Sequence, residues 1–198
     1  MAITLLIATR NPGKFHKISR RLSDHVRVVS LNELGIEDDV EETGATYEEN
    51  AALKAYHYAE RFNMLTLADD GGLRIDALQG APGLYSARFA GKGATDEQKI
   101  EKILTLMEHV PDNQRSAAFN VVLALAKPNG EISYYHGELN GVITRKPRGK
   151  LLRGMPYRTI FFVPEYGKTL AEIDALNIKI TDHRDKAIGK LRAEFNLG

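Results

Sequence analysis

Residues 67–91 read LADDGGLRIDALQGAPGLYSARFAG, and this stretch decides the fold. Leu65, Leu67 and Ala68 form the end of an apolar run that meets two adjacent acids, Asp69 and Asp70, followed at once by Gly71-Gly72. The pattern predicts a buried strand that the glycines stop. Both aspartates then sit at its C-terminal edge, where open α/β sheets place their ligands. Successive side chains of a strand point to opposite faces, so one aspartate is expected to face a ligand and the other to face supporting structure. Taken in isolation, Asp-Asp-Gly-Gly reads more readily as a solvated turn. The surrounding sequence decides between the two.

Towards the N-terminus, Ile3 to Ala8 is apolar and of strand length, and Thr9-Arg10-Asn11-Pro12-Gly13-Lys14 breaks it before Phe15, Ile18 and Leu22 recur at helical spacing. Such a strand, loop and helix can present backbone N–H groups and a helix N-terminus to an anion, with Lys14 adding a positive charge. An ordinary β-α turn has the same composition, and the second glycine and Lys-Ser/Thr pair of a Walker A loop are missing. A second strand is expected from Val26 to Ser30, then an acidic passage from Glu37 to Glu42 that by default is a solvated loop. Thr46 and Glu49 have capping-box spacing, and Ala52, Ala55, Tyr56 and Ala59 follow at i, i+3, i+4, i+7, predicting a helix from Tyr47 to Phe62.

Beyond the central stretch, Thr95 and Gln98 form a second capping box, and Ile100, Ile103, Leu104 and Met107 make the packing face of a helix that ends before Pro111. Ala117 to Ala126 reads as a long buried strand, Pro128-Asn129-Gly130 as a turn, and Ile132 to Leu139 as the antiparallel return. Strands alternating with helices, plus one hairpin, predict an α/β fold with a long mixed sheet flanked by helices.

Composition narrows the chemistry. The chain has 198 residues, enough for one domain or a domain with a lobe, and a formal net charge of +1, so no global field draws it to nucleic acid. It contains no cysteine, which removes thiol catalysis, thiolate metal sites and disulfides. No apolar run reaches transmembrane length and no leader pattern opens the chain, so a soluble cytoplasmic protein is expected. His16, His25, His57, His109 and His136 lack metal-ligand spacing, and there is no Gly-x-Ser-x-Gly elbow.

The motifs together resemble one family. Ala68-Asp69-Asp70-Gly71-Gly72-Leu73, Asp76-Ala77-Leu78 through Gly83, and Tyr85-Ser86-Ala87-Arg88-Phe89-Ala90-Gly91 follow, nearly position for position, the signature of the inosine/xanthosine triphosphate pyrophosphatase (Ham1-like) family, with Gly71 in place of its serine. The resemblance runs from Ala8 to about Leu191. It implies two lobes around a nucleotide cleft within a single pyrophosphatase domain spanning 1–198, usually as a homodimer. The implied activity is Mg²⁺-dependent hydrolysis of a nucleoside triphosphate to monophosphate and pyrophosphate, as house-cleaning of non-canonical purine nucleotides. It also implies triphosphate binding by Thr9, Asn11 and Lys14. The magnesium-binding glutamate maps onto Glu41, with Glu42 the near alternative, and joins Asp70, which also deprotonates the attacking water; Asp69 is the inward structural partner.

Base recognition is where the chain departs from that pattern. Gly154-Met155-Pro156-Tyr157-Arg158-Thr159-Ile160-Phe161 stands where the family has G-F-G-Y-D-P-I-F, so Met155 replaces a stacking ring and Arg158 inverts a charge. Arg158 offers donors only, which predicts altered base discrimination unless the side chain swings to solvent. His183-Arg184 corresponds to the family's His-Arg pair, with Asp182 in place of Ser, and Lys179 lies one residue off the family lysine. Substrate contacts are thus expected from Gly71, Met155, Tyr157, Arg158, Lys179, His183 and Arg184. Gly141-Val142-Ile143 and Lys146-Pro147-Arg148-Gly149 match two further family elements of architectural character. Two other readings stand beside this one: a non-catalytic nucleotide-binding protein, against which the retained acids argue, and a nucleic-acid-binding module using Lys146, Arg148, Lys150 and Arg153, which lacks interleaved aromatics.

Overall fold

The computed structural model describes residues 3–24, 26–37 and 40–194; His25 and the acidic-passage residues Asp38 and Asp39 lie outside them. A seven-stranded sheet runs in the order β2-β1-β3-β4-β5-β6-β7. Its strands are β1 (Thr4–Ala8), β2 (Arg27–Ser30), β3 (Leu65–Ile75), β4 (Ser116–Ala126), β5 (Ile132–Ile143), β6 (Phe161–Val163) and β7 (Lys168–Thr169). The helices are α1 (Pro12–Leu22), α2 (Tyr47–Phe62), α3 (Asp96–Leu106), α4 (Leu170–Ala175) and α5 (His183–Glu194). β1 pairs in parallel with β2 and β3, whereas β6 pairs antiparallel with β5 and β7, so the sheet is mixed as expected. Among the described residues no helix is long and apolar enough to cross a membrane.

Two strands run further than their sequence predicts. β3 does not stop at Gly71-Gly72 but continues to Ile75. Neither glycine adopts positive φ, so both lie in the extended backbone that the ladder requires. β5 likewise passes Leu139 and takes in Gly141-Val142-Ile143. There a Cβ on Gly141 would come within 2.5 Å of the Phe161 ring and of the Phe162 carbonyl, so a bare backbone lets β5 meet β6.

The chain divides into two compact units, one of Met1–Asp70, Val121–Gly137 and His183–Gly198, the other of Gly71–Asn120 and Glu138–Asp182. In the first, strand alternation makes two cores. Leu5, Ile7, Leu67, Val121 and Leu123 pack with Ile18 and Leu22 of α1 and Ala187, Ile188 and Leu191 of α5. Leu6, Ala8, Ala68, Val122 and Ala124 pack instead with Ala51, Ala55, Tyr58 and Ala59 of α2. Helix α2 has the bounds its pattern predicts, but its apolar stripe is shifted: Asn50, Ala51, Lys54, Ala55, Tyr58 and Ala59 are buried, while Tyr56 is exposed and donates to the Gly130 carbonyl. Its N-terminal capping box is open. Thr46 accepts from Glu49 N, but the Glu49 carboxylate accepts from Ala45 N rather than from Thr46.

The second unit is built around Leu73 and Ile75 of β3, Ile100, Ile103 and Met107 of α3, Ile143, Tyr157, Ile160 and Phe161, and Leu170 and Ile173 of α4. Two capping boxes close here, Thr95 with Gln98 as its spacing predicts and Thr169 with Glu172. Gly149, in the left-handed region at φ 82°, packs so tightly that a Cβ would meet the backbone of Ala171 and Glu172 at 2.8 Å, which gives the Pro-Arg-Gly turn its architectural role.

One close approach fixes the start of α5. A Cβ on Gly137 would collide with the carbonyl of His183, so β5 and the first turn of α5 meet backbone to backbone. By contrast, a Cβ on Gly189 within α5 would meet nothing within 4 Å. Gly137→Ala is therefore expected to lower unfolding stability by about 3 kcal/mol through forced displacement. Gly189→Ala is expected to raise it by up to about 1 kcal/mol through helix propensity. Urea denaturation midpoints check both signs, provided the slopes stay unchanged.

Candidate active site

The parallel register sets the site. Ile7 lies opposite Leu67 and Ala8 opposite Ala68, so β1 ends where β3 runs on into Asp69 and Asp70, and the Thr9–Asn11 loop lies alongside the two acids. That loop is pre-folded. Thr9 Oγ1 accepts from Asn11 N at 3.2 Å, and Asn11 Oδ1 accepts from Gly13 N at 2.9 Å and Lys14 N at 3.1 Å, so Asn11 caps α1 with Pro12 in its first turn. The first turn of α1 carries no acidic residue, which leaves its positive dipole end unopposed from within the helix.

Asp69 follows Leu67 on the face covered by α1 and α5, and it is 2% exposed. Arg184 Nε donates to its Oδ2 at 2.9 Å, and Lys14 Nζ forms an ion pair with its Oδ1. Burial alone would raise this carboxyl, but the guanidinium of Arg184 and the ammonium of Lys14 outweigh it and hold Asp69 well below the usual carboxylate range. Arg184 Nη1 also lies 2.9 Å from His183 Nε2. A guanidinium only donates, so Nε2 accepts and the ring proton is assigned to Nδ1.

Asp70 follows Ala68 on the face covered by α2 and is 7% exposed. Here the sequence reading missed a residue, Lys54. Its Nζ donates to Glu42 Oε1 at 2.7 Å and to the Asp69 carbonyl at 2.9 Å, and lies 3.6 Å from Asp70 Oδ1. The signal was a lysine inside a buried helical stripe, at i+3 from Ala51 and i+4 from Asn50. Burial alone would lower the Lys54 ammonium, yet Asp70, Glu42 and Asp69 together hold it above its usual value. The Asp70 carboxyl is pushed up, by burial first; Lys54 and Lys14 pull it down, while Glu42 and Asp69 add to the rise.

Glu42 is delivered to Lys54 by a loop pinned to α2. Gly44 N donates to Asn50 Oδ1 at 2.8 Å, and a Cβ on Gly44 would come within 2.6 Å of Glu49, so the loop lies flat on the first turn. Glu41 is exposed. Of the two glutamates, Glu42 is the one that shares a cation with Asp70. Among the described residues no three His, Asp or Glu side chains gather as a metal centre. Two carboxylates converging beside buried negative charge nevertheless fit Mg²⁺, which takes one or two protein carboxylates and completes its octahedron with water and phosphate oxygens.

The candidate base-recognition residues Gly71, Met155, Tyr157, Arg158 and Lys179 belong to the second unit, and His183, which is 1% exposed, to the first. Gly71 is half-buried in β3 and Lys179 is exposed in the loop before α5. Tyr157 is a core residue whose hydroxyl donates to the Ser86 carbonyl at 2.8 Å, and Ser86 Oγ in turn accepts from Leu73 N at 3.0 Å. Gly154 N donates to Asp96 Oδ2 at 2.7 Å, anchoring the turn to α3. Arg158 neither swings to solvent nor stands open to a ligand: it is 3% exposed and its guanidinium grips Asp174. Of the basic patch, Lys146, Arg148, Lys150 and Arg153 are all exposed, with Arg148 lying over the Phe162 ring.

Because Asp69 is held low, its contribution to stability is present above the unfolded carboxyl pKa near 4 and is lost as pH falls through the lower folded value. Asp69→Asn leaves Arg184 and Lys14 without that carboxylate and is expected to cost about 3–5 kcal/mol at neutral pH. The cost should shrink steadily below about pH 4, as followed by urea unfolding at a series of pH values.

Comparison with known proteins agrees with this architecture. The model of the Ham1 family matches residues 5–194. A dITP/XTP pyrophosphatase of Oceanobacillus iheyensis is 44% identical over 189 residues, covering 94% of this chain and 95% of that one. Another of Desulforamulus reducens is 44% identical over 193 residues, covering 97% and 95%. The solved structure of a HAM1 protein from Coxiella burnetii superposes with a TM-score of 0.86 at 38% identity, covering 99% of this chain and 100% of that one. The match spans both units and every motif described above, and the chain belongs to the Ham1 family.

Proposed function

We propose that the protein hydrolyses a non-canonical purine nucleoside triphosphate to the monophosphate and pyrophosphate. The observation that carries this reading is the pair Asp69-Asp70, split by strand alternation between a saturated ion pair and a carboxyl held above its usual range. The relatives' names, dITP/XTP pyrophosphatase, support the substrate class. A cytoplasmic homodimer acting on free nucleotides, with two lobes in one domain, is the setting that the family resemblance implies.

Asp70 accepts a proton from water. The water oxygen bonds to the α-phosphorus, the bond from that phosphorus to the bridging oxygen breaks, and pyrophosphate leaves. Lys14 and the N-terminus of α1, with Thr9 and Asn11 shaping the loop, receive the phosphate chain, and Arg184 adds charge from the Asp69 side. Lys54 orients the Asp70 carboxylate and offsets the negative charge of Glu42. Glu42 and Asp70 would hold Mg²⁺, which when bound neutralises phosphate charge and lowers the pKa of a coordinated water.

Asp70→Asn is expected to cut pyrophosphate release from inosine triphosphate by about 10²–10⁴-fold. The variant should unfold no more easily than the wild type at neutral pH, because a carboxyl whose folded pKa is raised opposes folding when ionised. Chelation of divalent ions should abolish turnover in the wild type. More than about a tenth of the wild-type rate in Asp70→Asn, a loss below about 1.4 kcal/mol, would remove Asp70 from the role of base.

A further inference from the structure

Arg158 sits in a short 3-10 turn, Pro156–Thr159, with its side chain almost wholly enclosed. Its Nε and Nη2 meet Asp174 Oδ2 and Oδ1 at 2.6 and 2.8 Å, a fork-on-fork pair with fixed direction, and its Nη1 lies 3.5 Å from Asp182 Oδ2. One guanidinium thus joins three segments: the 156–159 turn, the last turn of α4, and the residue before α5. Asp182 is itself buried, with a side chain 2% exposed. A buried carboxylate is held in part by the cation beside it, so removing that cation weakens the hold on Asp182. Asp182 is bonded directly to His183, so a shift at Asp182 passes into the first turn of α5.

We propose that Arg158 is a positioning residue: it acts on nucleotide binding through Asp182, by fixing the turn that carries His183 and the Arg184 that reaches Asp69, and does not itself read the base. This deepens the function proposed above and rests on it. All three outward nitrogens of the guanidinium face carboxylates within this cluster, so a base edge placed there would have to displace an ion pair rather than fill a vacancy. The departures at positions 158 and 182 are then one change of opposite charges, not two independent ones.

The test uses the full-length protein and four variants: Arg158→Met, Asp182→Asn, the two combined, and Arg158→Lys, which keeps the charge but not the fork. The His183 ring resonances of the substrate-free protein are recorded by NMR, and kcat and KM are measured for inosine and guanosine triphosphates. Arg158→Met and Asp182→Asn should each displace the His183 resonances, and the double variant should add nothing further. KM should rise about tenfold for both nucleotides in the same proportion, with kcat nearly constant and Arg158→Lys intermediate. Unmoved His183 resonances with only a lower melting temperature would overturn the proposal, leaving Arg158 a brace. A changed ratio of KM between the two nucleotides would overturn it in favour of direct base reading. If Arg158→Met does not fold, Asp182→Asn carries the same comparison. Should the wild type turn over no nucleoside triphosphate at all, the proposed function fails while the NMR comparison still decides this inference.

Discussion

A strand cannot point two successive side chains the same way, and in this protein that constraint falls on two adjacent aspartates. Asp69 and Asp70 share a backbone yet live in different electrostatic surroundings, because α1 and α5 cover one face of β3 and α2 covers the other. On one side two cations saturate a carboxylate; on the other a single lysine is divided between Glu42, Asp70 and a backbone carbonyl. The contrast in proton affinity between the two acids follows from which helices pack where. It needs no special chemistry in either residue.

The surrounding elements serve that contrast. The register of β1 against β3 brings the Thr9–Asn11 loop beside the acids, and the Asn11 cap aims the start of α1. Gly44 and Asn50 lay the acidic loop on α2, so Glu42 reaches Lys54. Gly137 lets the first turn of α5 settle onto β5, and from there Arg184 reaches Asp69. Each device is local and inexpensive, a cap or a missing side chain. Their common effect is to hold six charged groups, Lys14, Glu42, Lys54, Asp69, Asp70 and Arg184, near one strand end without leaving a buried charge uncompensated.

Much of this is legible in the sequence because it depends on local periodicity. The bounds of α2, the apolar face of α3 and the capping boxes at Thr95 and Thr169 follow from spacing alone. Gly71-Gly72 misleads as a strand end, since glycine permits a turn without requiring one and pairing within the sheet overrides the preference. The phase of α2 slips by one position because Ala51, Ala52, Ala55 and Ala59 fit two overlapping stripes, and only tertiary packing selects between them. Lys54 is hidden for the same reason: a lysine in a helix normally faces water, and its burial becomes sensible only once Glu42 and Asp70 are known to converge on it. Arg158 depends on partners 16 and 24 residues away, whose convergence no periodicity announces.

The central claim is that the water activated at Asp70 attacks the α-phosphorus. Its most direct test is hydrolysis of inosine triphosphate in water enriched in ¹⁸O, with the label located by mass spectrometry of both products. Attack at the α-phosphorus places the label in the nucleoside monophosphate and leaves the pyrophosphate unlabelled. Label in the pyrophosphate instead, or release of orthophosphate carrying it, would contradict the account.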